Sequence, residues 1–109
     1  MHSPRELVVV DFPGAQGVKR RPALVISSDG YHQSRPDVIL GLITSQSPSR
    51  LGTTDHLLKD WKIAGLNKPS TFRAFLVTLP QTAISAAIGR ASDSDWTAIQ
   101  DCVRAALAI

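Results

Sequence analysis

Short apolar runs separated by turn residues fill most of the chain, and a helical pattern appears only at its end. The β-branched run Leu7 to Phe12 lies between two prolines and predicts a first strand. Arg21 to Ser27 predicts a second strand. Asp37 to Thr44 predicts a third, whose continuous apolar character indicates burial on both faces. Between them, Pro13 to Gly17 predicts a flexible loop, and the polar stretch Ser28 to Pro36 predicts a turn with irregular structure.

The second half of the chain continues this alternation of turns and strands. Ser45 to Thr54, which contains Ser47 and Pro48, predicts a loop, and Ala64 to Pro69 predicts a turn. Asp55 to Trp61 is compatible with either a helical face or a short strand, and the pattern alone leaves both open. Ser70 to Leu76 and Ile84 to Ile88 predict the last two extended segments, separated by Pro80, Gln81 and Thr82.

The final segment predicts an amphipathic helix. Ser92 is suited to cap its start, with Asp93 and Asp95 in the first turn, where carboxylates interact favourably with the helix dipole. Apolar residues then recur at helical spacing and predict a face that packs on the strands: Trp96, Ile99, Val103 and Ala106. Cys102 lies beside this face and is expected to be a buried structural thiol rather than a nucleophile.

Length and composition set the broad class of protein. The 109 residues, with 43% hydrophobic and 19% charged, predict one folded domain spanning residues 1–109. One cysteine cannot form an intrachain disulfide, which fits a reducing compartment. The apolar run Leu7 to Val10 is too short for a signal peptide core or a membrane span. A mainly β protein with a closing helix, located in the cytoplasm and without a membrane partner, is therefore expected.

The charge is distributed unevenly along the chain. The net charge is +3, and residues 1–90 hold eleven of the twelve Lys and Arg against six acidic residues. A basic body with a mildly acidic end suits an anionic partner such as nucleic acid. A solvated basic surface without a partner explains this modest excess equally well.

The sequence does not contain the residue patterns of a metal site or of a nucleotide-binding loop. The three histidines, His2, His32 and His56, do not have the spacing of metal ligands, and a single cysteine cannot build a thiolate zinc site. No Gly-rich phosphate loop precedes a helix. No metal and no cofactor are expected.

Two strand edges carry the candidate chemistry. Lys19, Arg20 and Arg21 run into Pro22 at the start of the buried second strand, where a cationic cluster can hold an anion. The third strand ends in hydroxyl and amide groups at Thr44-Ser45-Gln46. We expect these two edges to meet and to form one phosphate-binding site.

These residues also carry a family resemblance. The succession Val9-Val10-Asp11-Phe12-Pro13, Lys19-Arg20-Arg21-Pro22-Ala23-Leu24-Val25 and Ile43-Thr44-Ser45-Gln46 resembles the PemK/MazF family of type II toxins. Lys68-Pro69-Ser70 and Ile88-Gly89 continue the similarity, which spans nearly the whole chain. The resemblance implies a small SH3-like β-barrel with a C-terminal helix, usually a homodimer. It implies a metal-independent, sequence-specific endoribonuclease that cuts single-stranded RNA and is held inactive by a cognate antitoxin.

The resemblance also assigns roles to individual positions. Arg21 matches the family's catalytic arginine and Thr44 its catalytic threonine. The expected RNA contacts are Lys19, Arg20, Ser45, Gln46 and Arg73. Preorganised donors aimed at the phosphoryl oxygens suit the charge that gathers there in the transition state.

This chain departs from the family pattern in its acidic residues. Some family members place an arginine and an aspartate in the strand that matches Thr71 to Leu76. Here Arg73 is present, but no Asp or Glu occurs from Trp61 to Ser92. His56 could act as a general base, although a solvent-facing strand histidine is the expected account.

Three functions therefore compete. The leading hypothesis is a toxin that cuts mRNA by 2′-hydroxyl attack, leaving a 2′,3′-cyclic phosphate and a 5′-hydroxyl and inhibiting growth. The alternative is a binding protein of the same fold that has lost catalysis or inhibits another target such as DNA gyrase. A peptide-binding SH3 module is disfavoured, since aromatic residues make up only 6% of the chain.

Overall fold

The computed structural model describes residues 2–14, 17–46 and 49–109. Six strands and two α-helices account for most of these residues, and a 3₁₀ turn at Gln81–Ala83 joins the last two strands. In chain order the elements are β1 (Glu6–Gly14), β2 (Gly17–Val25), α1 (Asp29–Ser34), β3 (Asp37–Thr44), β4 (Asp55–Leu57), β5 (Thr71–Pro80), β6 (Ile84–Arg90) and α2 (Asp93–Ala106). No helix among the described residues is both long and apolar enough to cross a membrane.

All six strands belong to one antiparallel sheet. Their order is β4-β5-β3-β2-β1-β6, so β4 and β6 form its two edges. Register shifts interrupt the β1–β6 and β3–β5 pairings. Such irregularities increase local twist and bend a sheet. The curled sheet forms a half-barrel with α2 packed against it, which confirms the predicted mainly β fold.

The hairpin of β1 and β2 corrects one predicted boundary. β2 begins at Gly17 rather than at Arg21, and the pairing runs from Leu7 opposite Leu24 to Gly14 opposite Gly17. Lys19 and Arg20 are therefore strand residues and not loop residues. Their polar character hid the strand because both side chains are exposed, which leaves no apolar signal. Ala15 and Gln16 of the predicted loop lie outside the described residues.

A short helix replaces the turn predicted after β2. Ser28 caps α1, and its side-chain oxygen accepts a hydrogen bond from the backbone N–H of Tyr31. The six-residue helix buries only His32, whose Nε2 contacts the Ser27 hydroxyl. A helix with one buried residue has no apolar periodicity to reveal it in the sequence.

Strand β3 lies at the centre of the sheet and has the bounds that the sequence predicts. Val38 and Leu40 belong to one core cluster, whereas Ile43 belongs to the other. The predicted burial on both faces of this strand is therefore confirmed. Each fully buried Val, Leu or Ile of this kind contributes roughly 1.5 to 3 kcal/mol by leaving water.

The segment Asp55 to Trp61, for which the sequence left a helical face and a short strand both open, begins with a strand. β4 covers only Asp55–Leu57, and Trp61 follows in a turn. Ser47 and Pro48 of the predicted loop lie outside the described residues. β5 and β6 are both longer than predicted, because β5 continues to Pro80 and β6 continues to Arg90.

The C-terminal helix confirms the clearest prediction from the sequence. Ser92 caps α2 by accepting a hydrogen bond from the Asp95 N–H. Ile99 and Cys102 are buried in the core, and Trp96 and Val103 pack against it. Ala106, also predicted on this face, is exposed. Burial is also the main cause that raises the pKa of the Cys102 thiol, as expected for a structural cysteine.

Residues 58–70 form a wound turn between β4 and β5 that packs directly on β6. Leu58 N–H donates to the Ser70 carbonyl at 2.9 Å and closes the base of the turn. Gly65 has a left-handed φ of +96°, and Gly89 lies opposite it. A Cβ on Gly89 would lie 2.1 Å from the Ala64 carbonyl oxygen. The two backbones therefore approach to a distance that only glycine permits.

The fully buried carboxylate of Asp95 ties α2 to β4 and to the start of this turn. Oδ1 accepts hydrogen bonds from His56 Nε2 at 2.8 Å and from the Lys59 N–H at 2.9 Å. Oδ2 accepts from the Asp60 N–H at 2.9 Å. The expectation that His56 faces solvent is wrong, because this contact leaves only 24% of its side chain exposed. We call these contacts the Asp95 clasp.

Substitution of Gly89 tests the close approach of the two backbones. We expect Gly89→Ala to lower the free energy of unfolding by about 2 kcal/mol or more, because backbone atoms must move apart to admit the methyl group. Gly30→Ala in α1 is the matched control, since the nearest atom to its Cβ, Ser28 Oγ, is 3.9 Å away. Urea unfolding of both variants measures the difference. Equal stabilities would contradict the close approach.

Acid unfolding tests the Asp95 clasp. Burial alone would raise the pKa of Asp95, but the hydrogen bonds from His56, Lys59 and Asp60 outweigh it and hold the pKa below 3.8. A lowered pKa stabilises the fold above pH 3.8, and this stabilisation disappears as the pH falls through the lower folded value. The stability gap between the unchanged chain and Asp95→Asn should shrink as the pH falls below 3.8. A gap that does not change with pH would show that the charge of Asp95 is not what stabilises the clasp.

Candidate functional site

A cleft of about 600 Å³ brings together five separate parts of the chain. The part on β2 is the cation wall, which consists of Lys19, Arg20, Arg21 and Pro22. The end of β3, from Ile43 to Gln46, also lines the cleft, together with Val9 and Ile88. The part before β5 is the loop wall, which consists of Gly65, Leu66, Asn67, Lys68 and Ser70. The predicted meeting of the two strand edges is therefore what the structure shows.

The cations of the cleft differ in their partners. Arg20 Nε lies 3.5 Å from Asp11 Oδ1 on the neighbouring strand, and both side chains are exposed. Within the described residues, Lys19, Arg21 and Lys68 have no carboxylate within salt-bridge distance. Their positive charge remains available for an anion, and a guanidinium such as that of Arg21 can bind a phosphate through two parallel hydrogen bonds.

Arg21 and Thr44 lie just beyond the same end of the β2–β3 ladder. The last paired residues of the two strands at that end are Ala23 and Leu42. Arg21 and Thr44 each lie two residues beyond this pair, because partner numbers run in opposite directions in an antiparallel ladder. Both residues line the cleft. The two positions assigned to catalysis therefore lie near one end of two neighbouring strands.

The hydroxyl group of Thr44 is already oriented by the backbone. The Gln46 N–H donates to Thr44 Oγ1 at 3.1 Å. Because Oγ1 accepts this bond, its own proton is free to be donated to another group. Thr44 is 7% exposed, and its branched Cβ restricts rotation of the side chain. The arrangement can present a fixed O–H donor to a ligand in the cleft.

The other predicted contacts separate into two groups. Ser45 and Gln46 are exposed and line the cleft beside Thr44. Arg73 does not line the cleft, because its Nε donates to Asp55 Oδ1 at 3.3 Å across β5 and β4. The carboxylate that pairs with Arg73 therefore comes from the adjacent strand β4. A role for Arg73 in RNA binding stays a prediction.

The loop wall adds cleft residues to which the sequence pattern assigns no role. Asn67 and Lys68 lie in a turn, where polar residues are ordinary and carry no functional signal. The tripeptide Lys68-Pro69-Ser70, part of the family resemblance, was the one available indication. Ser70 is buried, and its hydroxyl donates to the Lys68 carbonyl at 2.9 Å, which fixes the turn beside the cleft.

The cleft holds no imidazole or carboxylate among its described lining residues. His56 is held by Asp95, and His32 is buried beside Ser27, so neither reaches the cleft. Groups of three or more His, Cys, Asp or Glu that could hold a metal ion are absent from the described ranges. The chemistry available in the cleft is that of cations, hydroxyls and amides.

Solved structures of other proteins share this fold. An endoribonuclease in complex with its cognate antitoxin from a mycobacterial species has a TM-score of 0.83 at 16% identity, covering 100% of this chain and 97% of its own. The Mycobacterium tuberculosis toxin MazF-mt6 has a TM-score of 0.77 at 20% identity, covering 94% of this chain and 95% of its own. MazF from Deinococcus radiodurans has a TM-score of 0.78 at 18% identity, covering 99% of this chain and 97% of its own. At these identities the similarity establishes the fold alone.

Sequence comparison identifies the family. A search of curated proteins finds no match. The family model for the PemK-like, MazF-like toxin of type II toxin-antitoxin system matches residues 3–107. Since this match covers nearly the whole chain, the protein belongs to the PemK-like and MazF-like toxins of type II toxin–antitoxin systems.

Proposed function

We propose that this toxin is a metal-independent endoribonuclease that cuts single-stranded RNA in the cytoplasm, with mRNA as its target. The observation that carries the proposal is that Arg21 and Thr44 line one cation-rich cleft, each two residues beyond the last pair of the β2–β3 ladder. Growth inhibition follows from the loss of intact mRNA. The mycobacterial structures of the same fold that are themselves endoribonucleases support this assignment.

The chemistry uses a nucleophile that the substrate brings. The RNA 2′-hydroxyl attacks the adjacent phosphorus, so that an O2′–P bond forms and the P–O5′ bond breaks. The products are a 2′,3′-cyclic phosphate and a 5′-hydroxyl. The 2′-hydroxyl gives its proton to solvent, because no imidazole or carboxylate lines the described cleft, and the leaving O5′ takes up a proton from solvent. DNA lacks the 2′-hydroxyl and is not a substrate.

Arg21 and Thr44 act on the charge that develops during this step. Negative charge gathers on the phosphoryl oxygens in the transition state, and fixed donors in a preorganised site stabilise it strongly. Arg21 offers a planar guanidinium with several donors and no competing carboxylate among the described residues. Thr44 offers an O–H whose oxygen is held by the Gln46 N–H. Lys19, Arg20, Ser45 and Gln46 bind the neighbouring backbone and sugar groups.

The lack of an imidazole or a carboxylate among the described lining residues also favours a second function, which is binding without cleavage. A cleft without an imidazole or a carboxylate among its described residues lacks the side chains that most often act as general bases. A protein with this cleft could bind RNA or another target, such as DNA gyrase, without cutting anything. Binding without cleavage is the alternative that the following experiment distinguishes.

Conservative substitutions in the cleft test the catalytic assignment. Arg21→Lys keeps the positive charge but removes the planar fork, and Thr44→Val keeps the branched shape but removes the hydroxyl. Each should lower the rate of cleavage of a long RNA in EDTA by about a hundredfold or more, because each removes a preorganised donor. Arg104→Lys is the control, since Arg104 is exposed on α2 and pairs with Asp101.

The products and the rates together decide the outcome. Fragments that end in a 2′,3′-cyclic phosphate, lost in the two cleft variants and retained in the control, support the proposal. Uncut RNA with the unchanged chain contradicts it and favours the binding protein. Equal cleavage by all four proteins assigns the activity to a contaminant or to another site.

We also propose two protein partners, a cognate antitoxin and a second copy of the chain. Structures of the same fold include MazE–MazF complexes from Deinococcus radiodurans, and these complexes support the proposal of an antitoxin partner. The cation wall would attract an acidic antitoxin segment, which would then compete with RNA. The homodimer rests on the family resemblance.

Mass and activity measurements test both partners. Light scattering of the purified chain at micromolar concentration should give twice the mass of one chain, and a single-chain mass contradicts the homodimer. Saturating antitoxin should abolish RNA cleavage if the two compete for the cleft. Cleavage that continues at saturation contradicts this competition.

A further inference from the structure

The loop wall lines the same cleft as the cation wall. Asn67 and Lys68 are its exposed polar residues, whereas Leu66 and Ser70 are buried. Its position suggests a role beyond binding phosphate, and the inference rests on the function proposed above.

The side-chain amide of Asn67 is free to bind a ligand. Within the described residues it has no hydrogen-bond partner, although its neighbour Ser70 is bonded to the turn backbone. An amide presents a donor and an acceptor side by side, and every base edge offers a complementary pair. Single-stranded RNA is recognised mainly through such contacts to unstacked bases.

The cation wall limits what reaches Asn67. Lys19, Arg20 and Arg21 favour phosphates at the cation wall, and the proposed function places the scissile phosphate between Arg21 and Thr44. Bases project away from the backbone that carries these phosphates. A base next to the scissile phosphate can therefore reach Asn67, which lines the same cleft.

We propose that Asn67 determines sequence specificity by contacting a base next to the cleavage point, and that Asp95 is the positioning residue that holds Asn67 in place. Phosphate contacts fix the register of the RNA but carry no sequence information, whereas base contacts specify the sequence. Asn67 thus supplies the discrimination that the cation wall lacks.

The turn of residues 58–70, which carries the loop wall, is fixed at three points, so that Asn67 projects from a rigid backbone. Gly65 packs against the Ile88 carbonyl and the backbone of Gly89. The Leu66 N–H donates to the Trp61 carbonyl at 3.1 Å. At the start of the turn the Asp95 carboxylate accepts the N–H groups of Lys59 and Asp60. A site that discriminates between bases needs this kind of support, because small displacements weaken directional hydrogen bonds.

Cleavage of a random-sequence RNA pool tests Asn67. With the unchanged chain, one position next to the cleavage point should show a base preference. Asn67→Ala should reduce that preference about tenfold or more. Asn67→Asp should shift it to guanine, because a carboxylate accepts from the adjacent N1–H and N2–H groups of guanine. Lys19→Ala is the comparison, and it should slow cleavage at all sites without changing the preference.

The possible outcomes separate this inference from the proposed function. If the unchanged chain cuts with a preference that both Asn67 variants retain, the inference is overturned and the ribonuclease function stands. If the unchanged chain does not cut, the ribonuclease function fails. Selection of bound RNA from the same pool then decides, and identical bound sequences for the unchanged chain and Asn67→Asp overturn the role of Asn67.

Two substitutions in the first turn of α2 test the positioning role. Asp95→Asn weakens the clasp, whereas Asp93→Asn removes a charge from the same turn, where the exposed Asp93 pairs with Arg5. At pH 7, under conditions where circular dichroism shows both variants folded, Asp95→Asn should weaken the base preference at the Asn67 position, and Asp93→Asn should retain it. A purely structural role of Asp95 would lower all cleavage rates equally, and that result would overturn the assignment.

Discussion

The carboxylate of Asp95 is the interaction that joins helix α2, strand β4 and the turn that forms one wall of the cleft. It is fully buried, yet it receives hydrogen bonds from the side chain of His56 and from the backbone at Lys59 and Asp60. A buried charge without such partners would be strongly destabilising. Its bonds fasten the start of α2, strand β4 and the wound turn to one another, and that turn forms one wall of the cleft.

The cleft is assembled from parts of the chain that have little in common in sequence. β2 supplies cations, the end of β3 supplies a hydroxyl oriented by its own backbone, and the turn before β5 supplies amides and a lysine. The central sheet fixes the first two by register, whereas the clasp and the Gly65–Gly89 approach fix the third. Among the described lining residues, three of the four cations lie on β2, and the fourth, Lys68, lies on the loop wall beside the neutral amide of Asn67.

The sequence predicted the framework and most of the cleft, because both leave a strong pattern. The buried strand β3, the capped helix α2 and the meeting of Arg21 with Thr44 follow from apolar periodicity and from the family resemblance. The start of β2 was placed too late, since its first residues are exposed on a two-stranded ribbon. Helix α1 was missed because it buries only His32. The long-range partners of His56 and Arg73 leave no local signal, since Asp95 and Asp55 lie 39 and 18 residues away.

The central claim is that the cleft holds RNA so that its own 2′-hydroxyl attacks the scissile phosphate. The most direct measurement uses an RNA that the chain cuts at one mapped site, resynthesised with a single 2′-deoxy nucleotide on the 5′ side of that site. This account predicts that the modified site stays intact while the RNA still binds. Cleavage at the modified site would contradict 2′-hydroxyl attack.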